Sequence, residues 1–274
     1  MTSINSLTSD NEKRGKLLFL SALISLFMFV TKITQVQSQE TILNIYLTSA
    51  IYFVASFLGL LWAFNFQVKK QSFLYLLQSS LFVFSEVLFI EFFFFQKFNR
   101  IYEAFLLLIL LFLVFLGNYG SFLMANVFNV NLFKKIPLVH VGRTTSYVLS
   151  LLMLYFLSFS FLGTGLPIYL LLPIFLVVLF FIVLVHYMNI GLEQGELFRK
   201  TFFTVFVVFC LFLGSFLLGT SHEIISVVPV VGLLVCVSVV SQETMNNEVR
   251  FGSFIYIAVI VFVFLLNLLL NIIQ

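Results

Sequence analysis

Two carboxylates, Glu86 and Glu91, stand inside one long apolar run between Ser72 and Phe95. An ionised carboxylate at membrane depth costs several kcal/mol unless it faces a bundle interior, a water-filled cavity or a partner, so such a group points to an ion or solute path. On a helix counted from Ser72, Glu86 lies about 21 Å along the axis. Tyr75, Gln78, Ser79, Phe82 and Glu86 recur at three- and four-residue spacing and share one face. Tyr75, Gln78, Ser79 and Glu86 are therefore the candidate polar path. Glu91 is turned about 140° from Glu86 at helical pitch, which argues against a paired acid/base dyad. It groups instead with Lys97, Arg100 and Glu103 around the following turn, an outer charge cluster whose ion pairing neutralises its own members.

No other constellation carries catalysis. Alternating loops put His140 and His186 towards one side of a membrane and His222 on the other, so the three cannot share a compact metal site. His186 lacks the partner spacing of a metalloprotease helix, and Glu193 and Glu196 fall in a loop beside Arg199 and Lys200. Ser221, His222 and Glu223 are consecutive, whereas a catalytic triad converges from separate elements. Cys210 and Cys236 match neither a metal nor a redox spacing. No Lys for a Schiff base stands in the last three apolar runs, and no glycine-rich phosphate loop is present. The expectation is no catalytic residue, no cofactor, no metal and no nucleic-acid partner.

The elements that must position these groups follow from composition. Hydrophobic residues make up 62% of the 274-residue chain and charged residues 9%, far too little charge for a water-facing surface. The 39 Phe residues are spread through every apolar run. Phe favours insertion about as well as Leu, so they mark lipid exposure rather than an aromatic function.

Runs of about 20 residues match the length a helix needs to cross the hydrocarbon layer. Nine emerge: Leu17 to Thr34, Thr41 to Phe66, Ser72 to Phe95, Ile101 to about Phe122, Thr145 to Leu162, Pro167 to Ile190, Thr201 to Leu218, Ile224 to Val240 and Phe251 to Asn271. The predicted architecture is an all-α integral membrane protein, a polytopic helix bundle of about nine transmembrane helices. It forms one transmembrane domain over 1–274, with a short cytoplasmic segment at 1–16 and its longest cytoplasmic loop at 123–144.

Basic residues orient it. With a cytoplasmic amino terminus, 11 of the 14 Lys and Arg fall inside, and only Lys32, Lys97 and Arg100 fall outside. The carboxyl terminus is then outside. Reading the seventh and eighth runs as a re-entrant hairpin leaves both flanking loops inside. Acidic residues do not share that bias: 6 fall inside and 5 outside, namely Glu40, Glu86, Glu91, Glu103 and Glu223, so the outer side carries more acid than base.

Local signals fit these boundaries. Thr220 and Glu223 have capping-box spacing before the eighth run, and Pro167 opens the sixth. Pro173 and Pro229 fall inside helices and should bend them. Asn118, Tyr119 and Gly120 near the inner end of the fourth run, with Asn267 and Asn271 in the ninth, read as amides that bond neighbouring helices. The basic start before Leu17 also has the form of a secretory signal, but Lys32 precedes the poor cleavage site at Val36-Gln37-Ser38, which favours an uncleaved first helix.

The fourth loop carries Asn126-Val127-Phe128-Asn129-Val130, then Ile136-Pro137-Leu138, then Arg143-Thr144-Thr145. This stretch resembles an uncharacterised family of bacterial multi-pass inner-membrane proteins, a domain of unknown function, over the middle third of the chain. Where that family has alanines after its Asn-Val pair, this chain has Asn131, Leu132 and Lys134-Lys135. The resemblance implies a bacterial cytoplasmic membrane and transfers no site. By its own chemistry the loop sets basic residues against anionic headgroups.

Two functional expectations remain. One is a non-enzymatic scaffold or accessory component whose partners are the lipid bilayer and another membrane protein. The alternative is a small-solute or ion transporter or channel with Glu86 lining the path.

Overall fold

Long apolar stretches without water must close every backbone hydrogen bond internally, and the helix does this within one segment. In a computed structural model, the chain is described over residues 2–35, 42–93, 101–131, 139–163, 167–190, 192, 194–217 and 222–244. Every element among them is a helix: α1 (Thr2–Gln35), α2 (Ile42–Ala63), α3 (Lys70–Phe93), α4 (Ile101–Asn131), α5 (Val139–Gly163), α6 (Ile168–Ile190), α7 (Gln194–Leu217) and α8 (His222–Thr244). All eight are long and apolar enough to cross a membrane. The protein is a multi-pass helical membrane protein. The ninth run, Phe251 to Asn271, lies outside the described residues, as do Thr220 of the capping box and Asn267 and Asn271.

Several boundaries differ from the sequence expectation. The largest shift is at 123–144, expected as a loop: α4 continues to Asn131 and α5 begins at Val139. The reason is a buried stripe, Ser121, Phe122, Ala125, Phe128 and Asn129, that keeps helical spacing past the expected end. Residues 126–130 of the family resemblance are thus helical. The segment 1–16, expected as a short tail, is helical from Thr2. α7 begins at Gln194, so Glu196, Arg199 and Lys200 share its first turns rather than a loop, with Glu196 3.9 Å from Arg199 and 3.6 Å from Lys200. α7 and α8 have 24 and 23 residues, each about 35 Å at helical rise and longer than a re-entrant half-helix.

The chain gathers into two compact units, Met1–Leu149 and Ser150–Gln274. In the first, α2 packs on α3, α3 on α4, α4 on α1 and α1 on α2, a closed ring of four. Among the described helices, α3 is the most enclosed. At one end of the ring, α2 stops where Asn65 and Phe66 take left-handed conformations, with φ 53° and 58°. The Phe66 amide donates back to the Leu61 carbonyl at 2.9 Å, closing an otherwise open helix terminus. Lys16 of α1 reaches this corner, donating to Asn65 Oδ1 at 3.0 Å and standing 5.5 Å from the Trp62 ring.

In the second unit α7 lies between α6 and α8. Phe175 and Phe212 stack at 4.2 Å between ring centroids. The Tyr187 hydroxyl shares a 2.6 Å hydrogen bond with Thr204 Oγ1, both fully buried. Interhelical bonds of this kind are worth about 0.6–1.7 kcal/mol in a bilayer, because the dissociated helices also find partners. Tyr187→Phe is expected to lower stability against SDS by that amount, and a Tyr187→Phe/Thr204→Val double-mutant cycle measures it.

Candidate functional site

α3 presents different chemistry to each neighbour. Towards α4 and the start of α5 it turns Tyr75, Gln78, Ser79, Phe82 and Glu86, all buried. Tyr75 stacks on Phe128 of α4 with centroids 4.1 Å apart. Ser79 Oγ donates to the Ser121 carbonyl at 2.9 Å. Gln78 joins α5 twice: Ser146 Oγ donates to Gln78 Oε1 at 3.2 Å, and Gln78 Nε2 donates to the Ser146 carbonyl at 3.4 Å. These contacts, with Asn129 Nδ2 donating to the Gln67 carbonyl at 3.1 Å, fix an antiparallel register in which rising α3 numbers meet falling α4 numbers.

That register brings Glu86 against Gly117 and Asn118. A methyl group placed on Gly117 would stand 3.3 Å from Glu86 Oε1 and 3.4 Å from the Phe82 ring, so a bare glycine is what lets the carboxyl approach the α4 backbone. Glu86 keeps 6% of its surface exposed and Asn118 none. The Asn118 side chain lies beside the carboxyl, near enough to act on its charge as a donor. As placed, though, Glu86 Oε2 and both Asn118 amide atoms close no hydrogen bond of good geometry. Among the described residues, no ion pair includes Glu86.

The sequence puts Asn118 near the inner end of the fourth run, which closes at about Phe122. With α4 running to Asn131, the same residue sits in mid-helix, level with Glu86. No local signal marks that level, because the stripe beyond Phe122 is distinguished only by its burial.

Glu91 is also buried, turned about 140° from Glu86 at helical pitch, and on α2 the Tyr52 hydroxyl is 3.1 Å from Thr31 Oγ1 of α1. Glu86 and Glu91 therefore serve separate interfaces. Of the expected outer charge cluster, Lys97 and Arg100 lie outside the described residues, and Glu103 is described only as part of α4. Among the described residues, no group of three or more His, Cys, Asp or Glu is placed to hold a metal ion. His186 is buried on α6, beside Tyr187, and Cys210 and Cys236 are free thiols. A groove of about 280 Å³ runs between α1 and α4, lined by apolar side chains and Ser25; its chemistry suits an acyl chain and little else.

Comparison with protein-family models, with curated proteins and with solved structures finds no match. The site is read from its own chemistry.

Proposed function

We propose that this multi-pass membrane protein is a small-solute or ion transporter of the bacterial cytoplasmic membrane, with its amino terminus inside, and that Glu86 lines the path. One observation carries the reading: a carboxyl enclosed in mid-helix beside an amide whose hydrogen-bonding atoms are unfilled. Intramembrane ionisable groups are expensive and face protein or water, and they mark ion and proton pathways in transporters. A permanently ionised carboxylate in this position would leave Asn118 Oδ1 without a donor. Pro173 inside α6 and Pro229 inside α8 each remove one backbone donor from the helix interior.

Reconstituted in liposomes under an ion gradient, the protein is expected to support a coupled flux that Glu86→Gln abolishes while leaving the fold intact. Equal flux through both forms would end the proposal.

A second reading is favoured by Tyr75, Gln78 and Ser79, each of which is engaged in contacts between helices. In that reading the stripe is glue and the protein is a non-enzymatic scaffold. It predicts a stoichiometric partner on crosslinking in native membranes, together with flux that is absent from both forms.

A further inference from the structure

The three unfilled atoms at the α3–α4 contact are chemically complementary. Asn118 Oδ1 needs a donor, Asn118 Nδ2 needs an acceptor, and Glu86 Oε2 is open. An ionised carboxylate accepts from Nδ2 but has no proton to give, so it leaves Asn118 Oδ1 orphaned in a buried interface. A neutral carboxylic acid serves both atoms, its O–H donating to Oδ1 while a carboxyl oxygen accepts from Nδ2.

Among the described residues, no nearby charge argues for the ionised form. Within that set, α4 faces Glu86 with Gly117 and Asn118, α3 adds Phe82, and the titratable Tyr52 of α2 is engaged with Thr31 of α1 instead. The start of α5 faces Gln78 with Ser146. A metal cation is equally poorly served. Hard divalent ions take six or more oxygens in ordered shells, whereas one carboxyl and one amide carbonyl converge here, with Phe82 on the same face. Gly117 makes the contact tight, and a bare proton needs no more room than this.

We infer that Glu86 and Asn118 form an acid–amide pair, and that the species this site takes up and releases is a proton rather than a metal cation. On uptake the proton bonds to a Glu86 oxygen and is shared with Asn118 Oδ1. On release the carboxylate keeps only the Nδ2–H donor, and the orphaned Oδ1 favours separation of α3 from α4. Proton occupancy is thereby linked to the packing of these two helices. This deepens the carrier reading and rests on it for its consequence, but its own test needs no flux.

The test is an infrared difference spectrum of the full-length protein in lipid nanodiscs at neutral pH, wild type minus Glu86→Gln. The expected result is one carbonyl-stretch band of a neutral carboxylic acid. It should shift to higher frequency in Asn118→Leu, where the hydrogen-bond partner is gone, and be unchanged when choline chloride is replaced by sodium or potassium chloride. Carboxylate bands in place of the acid band would overturn the inference. So would an acid band that disappears on adding either metal ion, which would assign the site to that cation. Should Glu86→Gln fail to fold, dicyclohexylcarbodiimide, which adds only to the protonated acid, is applied to the wild type in the same two salts. Peptide mass spectrometry is then expected to locate the adduct on Glu86 in both, and an unmodified or salt-protected Glu86 overturns the inference. Glu86-dependent flux with a carboxylate spectrum would defeat this site assignment alone, and an acid spectrum without flux would defeat the transport reading alone.

Discussion

Glu86→Lys is expected to prevent the first helical unit from assembling, whereas Glu86→Gln leaves it folded. The lysine ammonium would sit between α3 and α4 where, among the described residues, no carboxylate is placed to pair with it: Glu91 is buried but turned about 140° away at helical pitch. Leaving a buried charge without its partner costs about 3–5 kcal/mol, comparable to the whole stability of many small domains. Snorkelling offers limited relief, because Glu86 is seven residues from the Phe93 end of α3, about 10 Å at helical rise and further than a lysine stem comfortably extends. Asn118 Nδ2 would also meet a donor where it now faces an oxygen. The measurement is the yield of monodisperse protein and the midpoint of SDS-induced unfolding for wild type, Glu86→Gln and Glu86→Lys. A Lys variant as stable as wild type would mean that the carboxyl stands in water, and the closed α3–α4 contact would have to be abandoned.

Phe212→Ala is expected to destabilise the second unit by about 2–3 kcal/mol, less than the 3–5 kcal/mol usual for this change in a soluble core. The reason lies in the solvent. When the helices separate, Phe212 passes from a protein interior into lipid that is equally apolar, so the transfer contribution falls away and the cavity left against Phe175 remains. Phe212 is fully buried and stacked, while Phe206, on the same helix, is 67% exposed. Phe206→Ala should therefore change stability by less than about 0.5 kcal/mol. Unfolding by SDS compares the two substitutions directly, and equal effects would refute the burial assigned to α7.

That pair of phenylalanines shows why a membrane sequence conceals its own packing. In water, a helix's buried face is its apolar face and can be read from periodicity. In lipid both faces are apolar, so Phe206 and Phe212 are the same residue type in the same run with opposite surroundings. The polar residues carry what signal survives. Tyr75, Gln78, Ser79 and Glu86 could be put on one face of α3 from spacing, and that face is buried against α4 and α5. Their partners Ser121, Phe128 and Ser146 lie 42 to 68 residues away, and nothing local names them.

Run length and charge content by themselves determined that this chain is a multi-pass membrane protein with helices at these positions, because the cost of unpaired backbone in hydrocarbon is paid segment by segment. The isolation of Glu86 from Glu91 was also legible, since helical pitch fixes their separation. Only the tertiary structure decided that α4 outlasts Phe122, because its final turns are held by burial of Phe128 and the bond from Asn129 to Gln67 rather than by any local signal. That extension places Asn118 level with Glu86. The acid was visible in the sequence, and the amide it faces became visible only when two antiparallel helices were set in register.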